Sequence, residues 1–401
     1  MTPQDIIDRE NKFLAHNYHP LPVVLTRGEG VWVWDIEGKK YLDFLSAYSA
    51  VSAGHHNPRI LKAMMDQVNK LGVPSRAFYT DILGEFAEKL CAITGMDRVL
   101  PMNTGTEAIE TAIKAARRWG YRVKGIAKDQ ARIIVCGGNF HGRTTTIVSF
   151  SSDADYKDGF GPFSDGFDEV PLGDLDALEA AITPNTCAFL LEPIQGEGGI
   201  IIPPEGYLRK AQELCRKHNV LLILDEIQTG MARTGKNFCY QHEIDRPDGL
   251  ALGKALGGGV YPVSAFLARK DVMDVFNPGS HGSTFGGNPI AAAIGIEAIN
   301  LMIEDKYAER SAELGEYLRS RLEALQSPLI REVRGKGLLI GMEVYTDQVS
   351  ARSICEALKD RGLLCKETHE TTIRFAPPLI ITREEIDWAI DEVEAVLKQV
   401  A

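Results

Sequence analysis

The stretch that decides the fold is Val220-Leu221-Leu222-Ile223-Leu224-Asp225-Glu226, an apolar run that ends in two carboxylates. The run predicts a buried strand over residues 220–224, and residues 207–218 upstream carry apolar side chains at helical spacing. With another apolar run at residues 188–191, the order is strand, helix, strand, which predicts right-handed βαβ units in a mostly parallel sheet. Because ligands bind at the carboxyl ends of such strands, Asp225 is a candidate site residue.

The rest of the chain extends this α/β pattern and divides it. Further strands are predicted at residues 132–136, 249–252 and 263–268. Beyond residue 295 come a long helical stretch to residue 325, a strand at 337–344 and a closing helix with one apolar stripe. A hairpin around Ile36-Glu37-Gly38 is predicted near the start. We therefore predict an N-terminal segment 1–47 that packs with a small domain, a large domain 48–294 and the small C-terminal domain 295–401.

The composition limits the possible partners. The 401 residues include 44 Lys plus Arg and 55 Asp plus Glu, and the net charge of -11 has the wrong sign for attraction to nucleic acid or anionic membranes. The seven cysteines form no C-x-x-C pair and several lie in apolar runs, so we expect them to be reduced. The acidic N-terminus shows no targeting pattern, and no stretch is apolar enough to span a bilayer. We therefore expect a cytoplasmic protein that binds neither nucleic acid nor membrane.

A lysine at the end of the next predicted strand supplies a second functional group. Lys254 follows Asp225 by 29 residues, among glycines that allow a ligand to approach the backbone. Taken singly, Asp225 is explained as a helix cap and Lys254 as a surface lysine. Together, an amine and a carboxylate at one sheet edge are what pyridoxal phosphate (PLP) requires. The amine forms a Schiff base, and the carboxylate keeps the pyridine nitrogen protonated.

Two segments are candidates for holding a phosphate group. Asn103-Thr104-Gly105-Thr106-Glu107 leads into a predicted helix over residues 108–119, with capping-box spacing at Thr104 and Glu107 and a glycine that leaves amides open to an anion. The second segment is Gly282-Ser283-Thr284-Phe285-Gly286-Gly287-Asn288, a glycine-rich turn with two hydroxyls. Taken singly, the first is explained as an ordinary capped helix and the second as a loop.

A rival interpretation is a nucleotide-binding loop. Gly230-Met231-Ala232-Arg233-Thr234-Gly235-Lys236 matches the G-x-x-x-x-G-K part of a P-loop. Two features oppose this interpretation. Asn237 replaces the hydroxyl residue that would bind Mg²⁺, and the loop follows the acidic strand directly instead of opening an earlier strand-to-helix turn. We predict no metal site.

Five motifs, in their order and spacing, resemble the class III aminotransferases of fold type I, which use PLP. They are Asn103-Thr104-Gly105-Thr106-Glu107-Ala108, Gly138-Asn139-Phe140-His141-Gly142-Arg143, Glu192-Pro193-Ile194-Gln195-Gly196-Glu197, Asp225-Glu226-Ile227-Gln228-Thr229-Gly230 and Gly253-Lys254-Ala255-Leu256. The resemblance runs from about residue 13 to residue 397. It implies a large domain with a mostly parallel seven-stranded sheet between helices, and a smaller α+β domain built from both terminal segments.

Within that family, further segments are similar to the ornithine δ-aminotransferases. They are His16-Asn17-Tyr18-His19-Pro20-Leu21-Pro22, Ser46-Ala47-Tyr48-Ser49-Ala50-Val51, Ser75-Arg76-Ala77-Phe78-Tyr79, Gly159-Phe160-Gly161-Pro162-Phe163 and Ile373-Arg374-Phe375-Ala376-Pro377-Pro378. This similarity implies transfer of the δ-amino group of L-ornithine to 2-oxoglutarate. The products would be L-glutamate 5-semialdehyde and L-glutamate, in ornithine degradation and proline supply.

The resemblance implies a role for each cofactor residue. Lys254 would form the covalent link and carry a proton between substrate and cofactor, while Asp225 would pair with the pyridinium nitrogen. The other implied contacts are Gln228 to the phenolic oxygen, Phe140 stacked on the ring, Gly105, Thr106 and Ser283 at the phosphate, and Thr284 at the phosphate of a neighbouring subunit. The contact of Thr284 implies a homodimer.

The implied substrate-binding residues are Tyr18, Tyr48, Arg143, Glu192, Glu197 and Arg374. Tyr18 and Arg143 would hold the α-carboxylate of ornithine, and Tyr48 would help to select ornithine. Glu197 would neutralise Arg374 until a carboxylate of 2-oxoglutarate or glutamate arrives, with Arg143 then holding the distal carboxylate. One pocket would thus serve two differently charged substrates.

Alternatives stay open at this stage. An N-acetylornithine or 4-aminobutyrate aminotransferase shares the cofactor residues, although Tyr18 with Tyr48 opposes both. A non-catalytic relative would bind PLP but would not need Arg143 and Arg374. Without the family, Arg374 and Glu197 are explained as a structural ion pair. His141 is a departure, because some members of the family have Trp there, and this difference can alter the pocket wall or the pH profile.

Overall fold

The computed structural model describes residues 1–400. Its strands are β1(Leu25–Glu29), β2(Trp32–Asp35), β3(Lys40–Asp43), β4(Arg98–Met102), β5(Arg132–Cys136), β6(Phe167–Val170), β7(Thr186–Leu191), β8(Leu221–Asp225), β9(Gly249–Leu252), β10(Ser264–Ala268), β11(Ile330–Lys336), β12(Leu339–Val344), β13(Leu363–Leu364), β14(Lys366–Thr368) and β15(Thr372–Phe375). Its helical elements are α1(Pro3–Phe13), α2(Ser46–Ser49), α3(Pro58–Lys70), α4(Leu83–Thr94), α5(Gly105–Trp119), α6(Thr145–Val148), α7(Leu175–Ala181), α8(Tyr207–Lys217), α9(Lys270–Met273), α10(Pro289–Glu304), α11(Tyr307–Glu323), α12(Ala351–Asp360) and α13(Arg383–Val400). Short π or 3₁₀ turns cover Gly120–Lys124, Cys239–His242 and Lys254–Gly257.

A seven-stranded sheet forms the centre of the fold, in the order β4-β10-β9-β8-β7-β5-β6. Neighbouring strands pair in parallel except at β10, which is antiparallel to both β4 and β9. Strands β7, β8 and β9 are buried along their whole length, as expected for apolar runs covered on both faces. The predicted fold class, with a mostly parallel seven-stranded sheet, is confirmed.

Successive residues of the central strands face two different apolar layers. In β5, Ile133 lies in the same apolar cluster as Ile109 of α5. The next residue, Ile134, lies in a second cluster that includes Ala211 of α8. Side chains alternate across a strand with a period of two, so one strand supplies both layers. The sheet is therefore the middle layer between two sets of helices.

Most predicted elements lie within a few residues of the observed ones. The strands predicted at 132–136 and 249–252 coincide with β5 and β9, and the decisive run at 220–224 is shifted by one residue from β8. The helical stretch that was expected to continue to residue 325 is two helices, α10 and α11. They are separated at Lys306, which has a left-handed backbone conformation (φ 53°).

Seven strands have no counterpart among the sequence predictions: β1, β4, β6, β11, β13, β14 and β15. In the edge strands β4 and β6, one residue each is fully buried, Met102 and Val170. In β1, no residue is fully buried. A strand that is covered so little does not need a continuous apolar run, so its sequence does not stand out from that of a loop.

Two smaller sheets lie outside the central one. The order β11-β12-β15-β14 forms an antiparallel sheet, and β1-β2-β3-β13 forms the other. In the latter, the predicted hairpin is present as β2 and β3, and Leu363 of the C-terminal part pairs in parallel with Leu42. The two ends of the chain thus share a sheet, while the predicted boundaries at residues 47 and 294 stay a prediction. No helix in residues 1–400 is both long and apolar enough to cross a membrane.

Gly315 in α11 tests how tightly the C-terminal part packs. A Cβ at this position would lie 2.1 Å from the backbone of Gly337, in the turn between β11 and β12. Gly315→Ala should therefore push the helix away from the turn and destabilise the protein by about 1–3 kcal/mol. Thermal or urea unfolding measures the effect.

The matched control is Gly84→Ala in α4, where an added Cβ would meet nothing within 4 Å. Alanine favours a helix over glycine by roughly 0.5–1 kcal/mol, so this variant should be as stable as the parent or slightly more stable. Equal stability of the two variants would contradict the packing described for α11.

Candidate functional site

Three neighbouring parallel strands deliver charged side chains to one edge of the central sheet. Glu192 follows β7, Asp225 ends β8, and Lys254 lies two residues beyond β9. They line a single cavity of about 200 Å³. Its full lining is Gly105, Thr106, Phe140, His141, Gly142, Glu192, Glu197, Asp225, Ile227, Gln228, Thr229 and Lys254. The amine and the carboxylate predicted to share one ligand therefore do face one space.

Lys254 has an unusual backbone as well as an unusual environment. Its φ is 45°, in the left-handed region that a residue with a side chain rarely adopts. Burial lowers the pKa of its amine below the ordinary value for lysine, although the nearby Glu197 carboxylate acts in the opposite direction. A lysine with a lowered pKa is closer to the neutral form, which is the nucleophilic one.

Asp225 is held by a buried histidine. Its Oδ2 lies 2.7 Å from Nδ1 of His141, and its Oδ1 accepts a hydrogen bond from the amide of Ile227 at 3.0 Å. Burial by itself would lower the pKa of His141, but the hydrogen bond and the charge of Asp225 outweigh it, so the pKa is raised above its ordinary value. The histidine thus fixes the orientation of the Asp225 carboxylate.

Glu192 also lines the cavity, but backbone amides occupy its carboxylate. Oε2 accepts from the amide of Phe140 at 3.0 Å, and Oε1 accepts from the amide of Gly196 at 3.2 Å. Burial raises the pKa of Glu192 to about 7. These contacts fix the loop that carries the Phe140 ring, while the predicted contact of Glu192 with substrate stays a prediction.

The N-terminus of α5 forms one end of the cavity. A capping box is present: the Thr104 hydroxyl accepts from the amide of Glu107, and the Glu107 carboxylate accepts from the amide of Thr104. The amides of Gly105 and Thr106 belong to the first turn, where a helix provides no partner, and both residues line the cavity. An anionic group is the ligand that such a helix end favours.

Gln228 packs so closely against Gly196 that no residue larger than glycine fits at position 196. It lines the same cavity, and a Cβ at Gly196 would lie 1.5 Å from Gln228 Oε1. Glycine at 196 therefore allows the Gln228 amide to lie beside the backbone. The amide also approaches the carbonyl of Tyr48, at 3.4 Å from Nε2 to O.

A second, larger cavity of about 710 Å³ shares Phe140 and Glu197 with the first. Arg374, only 1% exposed, donates from Nη1 to Glu197 Oε1 at 2.5 Å, and its guanidinium lies 4.8 Å from the centre of the Tyr48 ring. Burial would raise the pKa of Glu197, but the charges of Arg374 and Lys254 hold it below the usual value. Tyr48, Glu197 and Arg374 are therefore assembled beside the smaller cavity.

The remaining predicted residues are placed differently. Arg143 is exposed at the rim, 4.1 Å from the ring centre of Tyr156 and 5.7 Å from that of Phe140. Tyr18 is 74% exposed in the N-terminal segment, close enough for its charge to affect the pKa of Tyr48. Neither of these two residues lines the smaller or the larger cavity.

Ser283 and Thr284 do not line the cavity of Lys254. Ser283 Oγ accepts from Asn103 Nδ2 at 2.8 Å, next to the start of α5. Thr284 is exposed and borders another cavity, of about 540 Å³, together with Phe78 and Tyr79. A single chain therefore does not bring Thr284 to Lys254, and its predicted reach to a neighbouring subunit stays a prediction.

Sequence reasoning missed several residues that shape the site. It did not predict that His141 contacts Asp225, because the two are 84 residues apart. Tyr156, beside Arg143, lies in a segment with no motif. Glu226 was quoted only as part of the strand end, yet its carboxylate accepts from the amides of Cys239 and Tyr240 at 2.6 and 2.7 Å. For Glu226, the apolar run that buries it was an available signal.

The loop that resembles a P-loop is not built for phosphate. The segment 230–236 follows β8 and leads into no α-helix, and Arg233 in its middle is completely buried. Gly235 packs against α11, since a Cβ there would lie 3.1 Å from Cα of Ala312. Within residues 1–400, no group of three or more His, Cys, Asp or Glu side chains is arranged to hold a metal ion.

The arrangement fits PLP by its chemistry. The start of α5 provides amides for a phosphate, Asp225 provides a buried carboxylate for a ring nitrogen, and Lys254 provides an amine for a carbonyl carbon. Phe140 supplies an aromatic face in the same cavity. These groups are what the cofactor needs at its phosphate, its nitrogen, its reacting carbon and its ring.

Comparisons with known proteins give a consistent result. The family model "Aminotransferase class-III" matches residues 13–397. An ornithine aminotransferase of Brevibacillus brevis is 58% identical over 392 residues, which is 98% of each chain. The structure of an ornithine aminotransferase of Toxoplasma gondii, with partial occupancy of PLP at its active site, matches with a TM-score of 0.97 and 45% identity over 100% of this chain and 95% of that one. An acetylornithine aminotransferase of Elizabethkingia anophelis matches with a TM-score of 0.90 and 48% identity over 100% of both.

The contact between His141 and Asp225 predicts a pH-dependent stability. Because the folded-state pKa of His141 is raised, its stabilising effect is fully present below the unfolded pKa of about 6.5 and is lost as the pH rises through the folded pKa. The stability gap between the parent and His141→Phe should therefore shrink between about pH 6 and pH 9. Thermal unfolding of the cofactor-free proteins measures this gap.

His16→Phe is the control, because His16 is exposed and its ring contacts the backbone carbonyl of Asn11 and not a carboxylate. Its stability gap to the parent should not follow the same trend. A gap for His141→Phe that is constant or widens with pH would be evidence against a charged histidine at this site.

Proposed function

The chain belongs to the class III aminotransferases, and from this we propose that it transfers the δ-amino group of L-ornithine to 2-oxoglutarate, with PLP as cofactor. The products are L-glutamate 5-semialdehyde and L-glutamate. The relatives named as ornithine aminotransferases, at 56–58% identity over nearly the whole chain, support this substrate. The reaction belongs to ornithine degradation and proline supply.

The observation that carries the proposal is the position of Lys254 and Asp225 on one cavity that also contains the start of α5. When bound, PLP supplies an electron sink for the bond that breaks at the amine-bearing carbon. Asp225 would hold the proton on the ring nitrogen, and His141, 2.7 Å away, would orient that aspartate. The Lys254 amine first binds the cofactor and then carries the proton to and from the substrate carbon.

The substrate end must accept two differently charged molecules. Ornithine brings one carboxylate, which Tyr18 and Arg143 hold at the entrance, so that its δ-amine points inwards. 2-Oxoglutarate brings two carboxylates, and a protein of net charge -11 repels them unless a local cation is available. Arg374 is that cation, and its ion pair with Glu197 at 2.5 Å masks it while ornithine is bound.

We also propose that the protein is a homodimer and that it lies in the cytoplasm. Phe78 and Tyr79 are 70% and 105% exposed beside the cavity that Thr284 borders. Exposed aromatic side chains grouped in this way are a feature of subunit interfaces. A second copy that covers them would carry Thr284 of one chain towards the phosphate site of the other. The free cysteines, six of them buried, suit a reducing compartment.

An acetylornithine aminotransferase is the second candidate, since a protein of that name is 48% identical over the full length. The two activities differ in what the pocket must do with the α-nitrogen: one accepts a charged ammonium group and the other a larger, neutral acetamide. Tyr48 beside Arg374 favours ornithine, because it narrows the space next to the carboxylate site.

The deciding experiment supplies ornithine or acetylornithine together with 2-oxoglutarate. We expect kcat/KM for ornithine to exceed that for acetylornithine by about 100-fold. Trapping of the pyrroline carboxylate that forms when glutamate semialdehyde cyclises gives the rate with ornithine. Equal or faster turnover of acetylornithine would overturn the ornithine assignment. Lys254→Ala is the control, and it should show neither turnover nor a cofactor that borohydride fixes to the protein.

Glu197→Gln tests the masking of Arg374. Without the negative charge, Arg374 is free at all times, so glutamate and 2-oxoglutarate should bind more tightly and the selectivity for ornithine should fall. The ratio of kcat/KM for ornithine to that for glutamate is expected to drop about tenfold or more. The half-reactions with each amino acid, followed by the absorption of the bound cofactor, give this ratio.

Glu367→Gln is the matched control, because Glu367 pairs with Lys366 and Arg352 and not with Arg374. It removes one negative charge nearby without touching the ion pair. A similar change in both variants would mean that overall charge, and not the masking of Arg374, sets the preference.

A further inference from the structure

Arg233 is buried completely and has no carboxylate among its hydrogen-bond partners. It is 0% exposed, and its guanidinium donates to neutral oxygens. A buried charge without an ionic partner is expensive, so its hydrogen bonds must offset the cost. Both Nη atoms of Arg233 have partners, whereas its buried Nε has none. Arg233 lies in the segment 230–236, whose glycine-lysine pattern has no part in the proposed reaction. The arginine therefore needs an explanation of its own.

The guanidinium joins three separate segments of the chain. Nη1 donates to the carbonyls of Leu338 at 2.9 Å and Pro377 at 2.6 Å. Nη2 donates to the hydroxyl of Ser52 at 3.0 Å and approaches that of Ser46 at 3.4 Å. Ser46 is the first residue of the turn α2 and Ser52 lies three residues beyond its end. Pro377 follows β15, and Leu338 precedes β12.

The backbone of Arg233 is also held by hydrogen bonds from the C-terminal part of the chain. Its carbonyl accepts from the hydroxyl of Ser311 at 2.7 Å and from the amide of Leu338 at 3.1 Å. Leu338 thus binds both the backbone and the side chain of Arg233. The backbone that carries the guanidinium is therefore fixed by hydrogen bonds, as a positioning residue requires.

The first segment that Arg233 holds is strained. The four residues of α2 all have positive φ, from 44° at Ser46 to 75° at Ser49, so this turn is left-handed. Such a conformation is costly for residues with side chains and persists only where its surroundings enforce it. Tyr48 belongs to this turn, and the strain is what presents its ring to Arg374 at 4.8 Å.

The second segment carries Arg374. Pro377, which accepts from Arg233, lies three residues beyond it. One of the two residues between them, Ala376, is also bound near the turn: its carbonyl accepts from the hydroxyl of Ser46 at 2.7 Å, and its amide donates to the carbonyl of Phe44 at 2.7 Å. Arg233 therefore binds both of the segments whose side chains meet at the larger cavity.

We propose that Arg233 is a positioning residue that holds Tyr48 and Arg374 in their relative places at the substrate end of the site. The inference rests on the proposed function, because it concerns the same site. Arginine suits this task because its planar group offers five donors in fixed directions, whereas lysine has one compact ammonium group. Arg233 does not touch substrate or cofactor and acts through the two segments it joins.

Arg233→Lys tests the inference, because lysine is also a basic residue but lacks the five N–H donors that the guanidinium holds in fixed directions. The KM values for ornithine and for 2-oxoglutarate should each rise about 10- to 100-fold, while kcat at saturation changes less than about threefold. The absorption spectrum of the bound cofactor should stay that of the parent, since Lys254 and Asp225 lie on other elements. A role in folding alone would leave both KM values unchanged in the protein that folds.

Arg310→Lys is the matched control. Arg310 also donates to carbonyls of the C-terminal part, those of Leu379, Ile380 and Ile381, but makes no contact with the turn α2. Its KM values should match those of the parent. If Arg233→Lys raises KM no more than Arg310→Lys does, the inference is wrong.

A second variant keeps the test valid if Arg233→Lys does not fold. The variant Ser52→Ala removes the nearer hydroxyl acceptor of Arg233 and leaves both the arginine and the hydrogen bond from Ser46 to Ala376 in place, and it should raise KM in the same direction. Unchanged KM values in that variant would overturn the inference.

If the parent protein fails to turn over ornithine, the proposed function falls. The KM ratios are then measured with acetylornithine, so the two failures are told apart.

Discussion

The site depends on three central strands that are buried on both faces. Charged side chains can therefore stand only at the ends of these strands. Strands β7, β8 and β9 contain no exposed residue, so each charged side chain that they deliver stands at the carboxyl edge of the sheet. Glu192, Asp225 and Lys254 come together for that reason. Their closeness then sets their chemistry, because burial shifts the pKa of the glutamate upwards and that of the lysine downwards.

Much of the fold and the centre of the site could be predicted from sequence because both follow from this constraint. Long apolar runs identified β5, β8 and β9, and the charged residue at the end of a run identified Asp225 and, with glycines around it, Lys254. The edge strand β4 escaped prediction because solvent covers part of it and it includes Pro101. Assignment of cofactor and substrate residues beyond the pair Asp225 and Lys254 required the family resemblance.

Other features could not be read from sequence, since they depend on contacts between distant segments. His141 reaches Asp225 across 84 residues, and no spacing rule links them. The left-handed turn that carries Tyr48 has no glycine in its four residues, so its positive φ angles are imposed by surrounding hydrogen bonds and not by local preference. Residues 230–236 match a phosphate-binding pattern, an interpretation that Asn237 already opposed. The glycines of this segment allow close packing, and Gly235 lies against α11.

The pairing of charges beside the larger cavity follows from the burial of Arg374. A guanidinium that is 1% exposed cannot be left without a partner, and Glu197 supplies one from a position that stays partly open to the cavity. A substrate carboxylate that enters this cavity competes with Glu197 for the same donors. Because the exchange replaces one carboxylate by another, the arginine is never left alone, and the change in free energy stays small in either direction. Under the proposed function, a substrate carboxylate that displaces Glu197 from Arg374 would let one pocket serve two substrates of different charge, which a neutral pocket could not do.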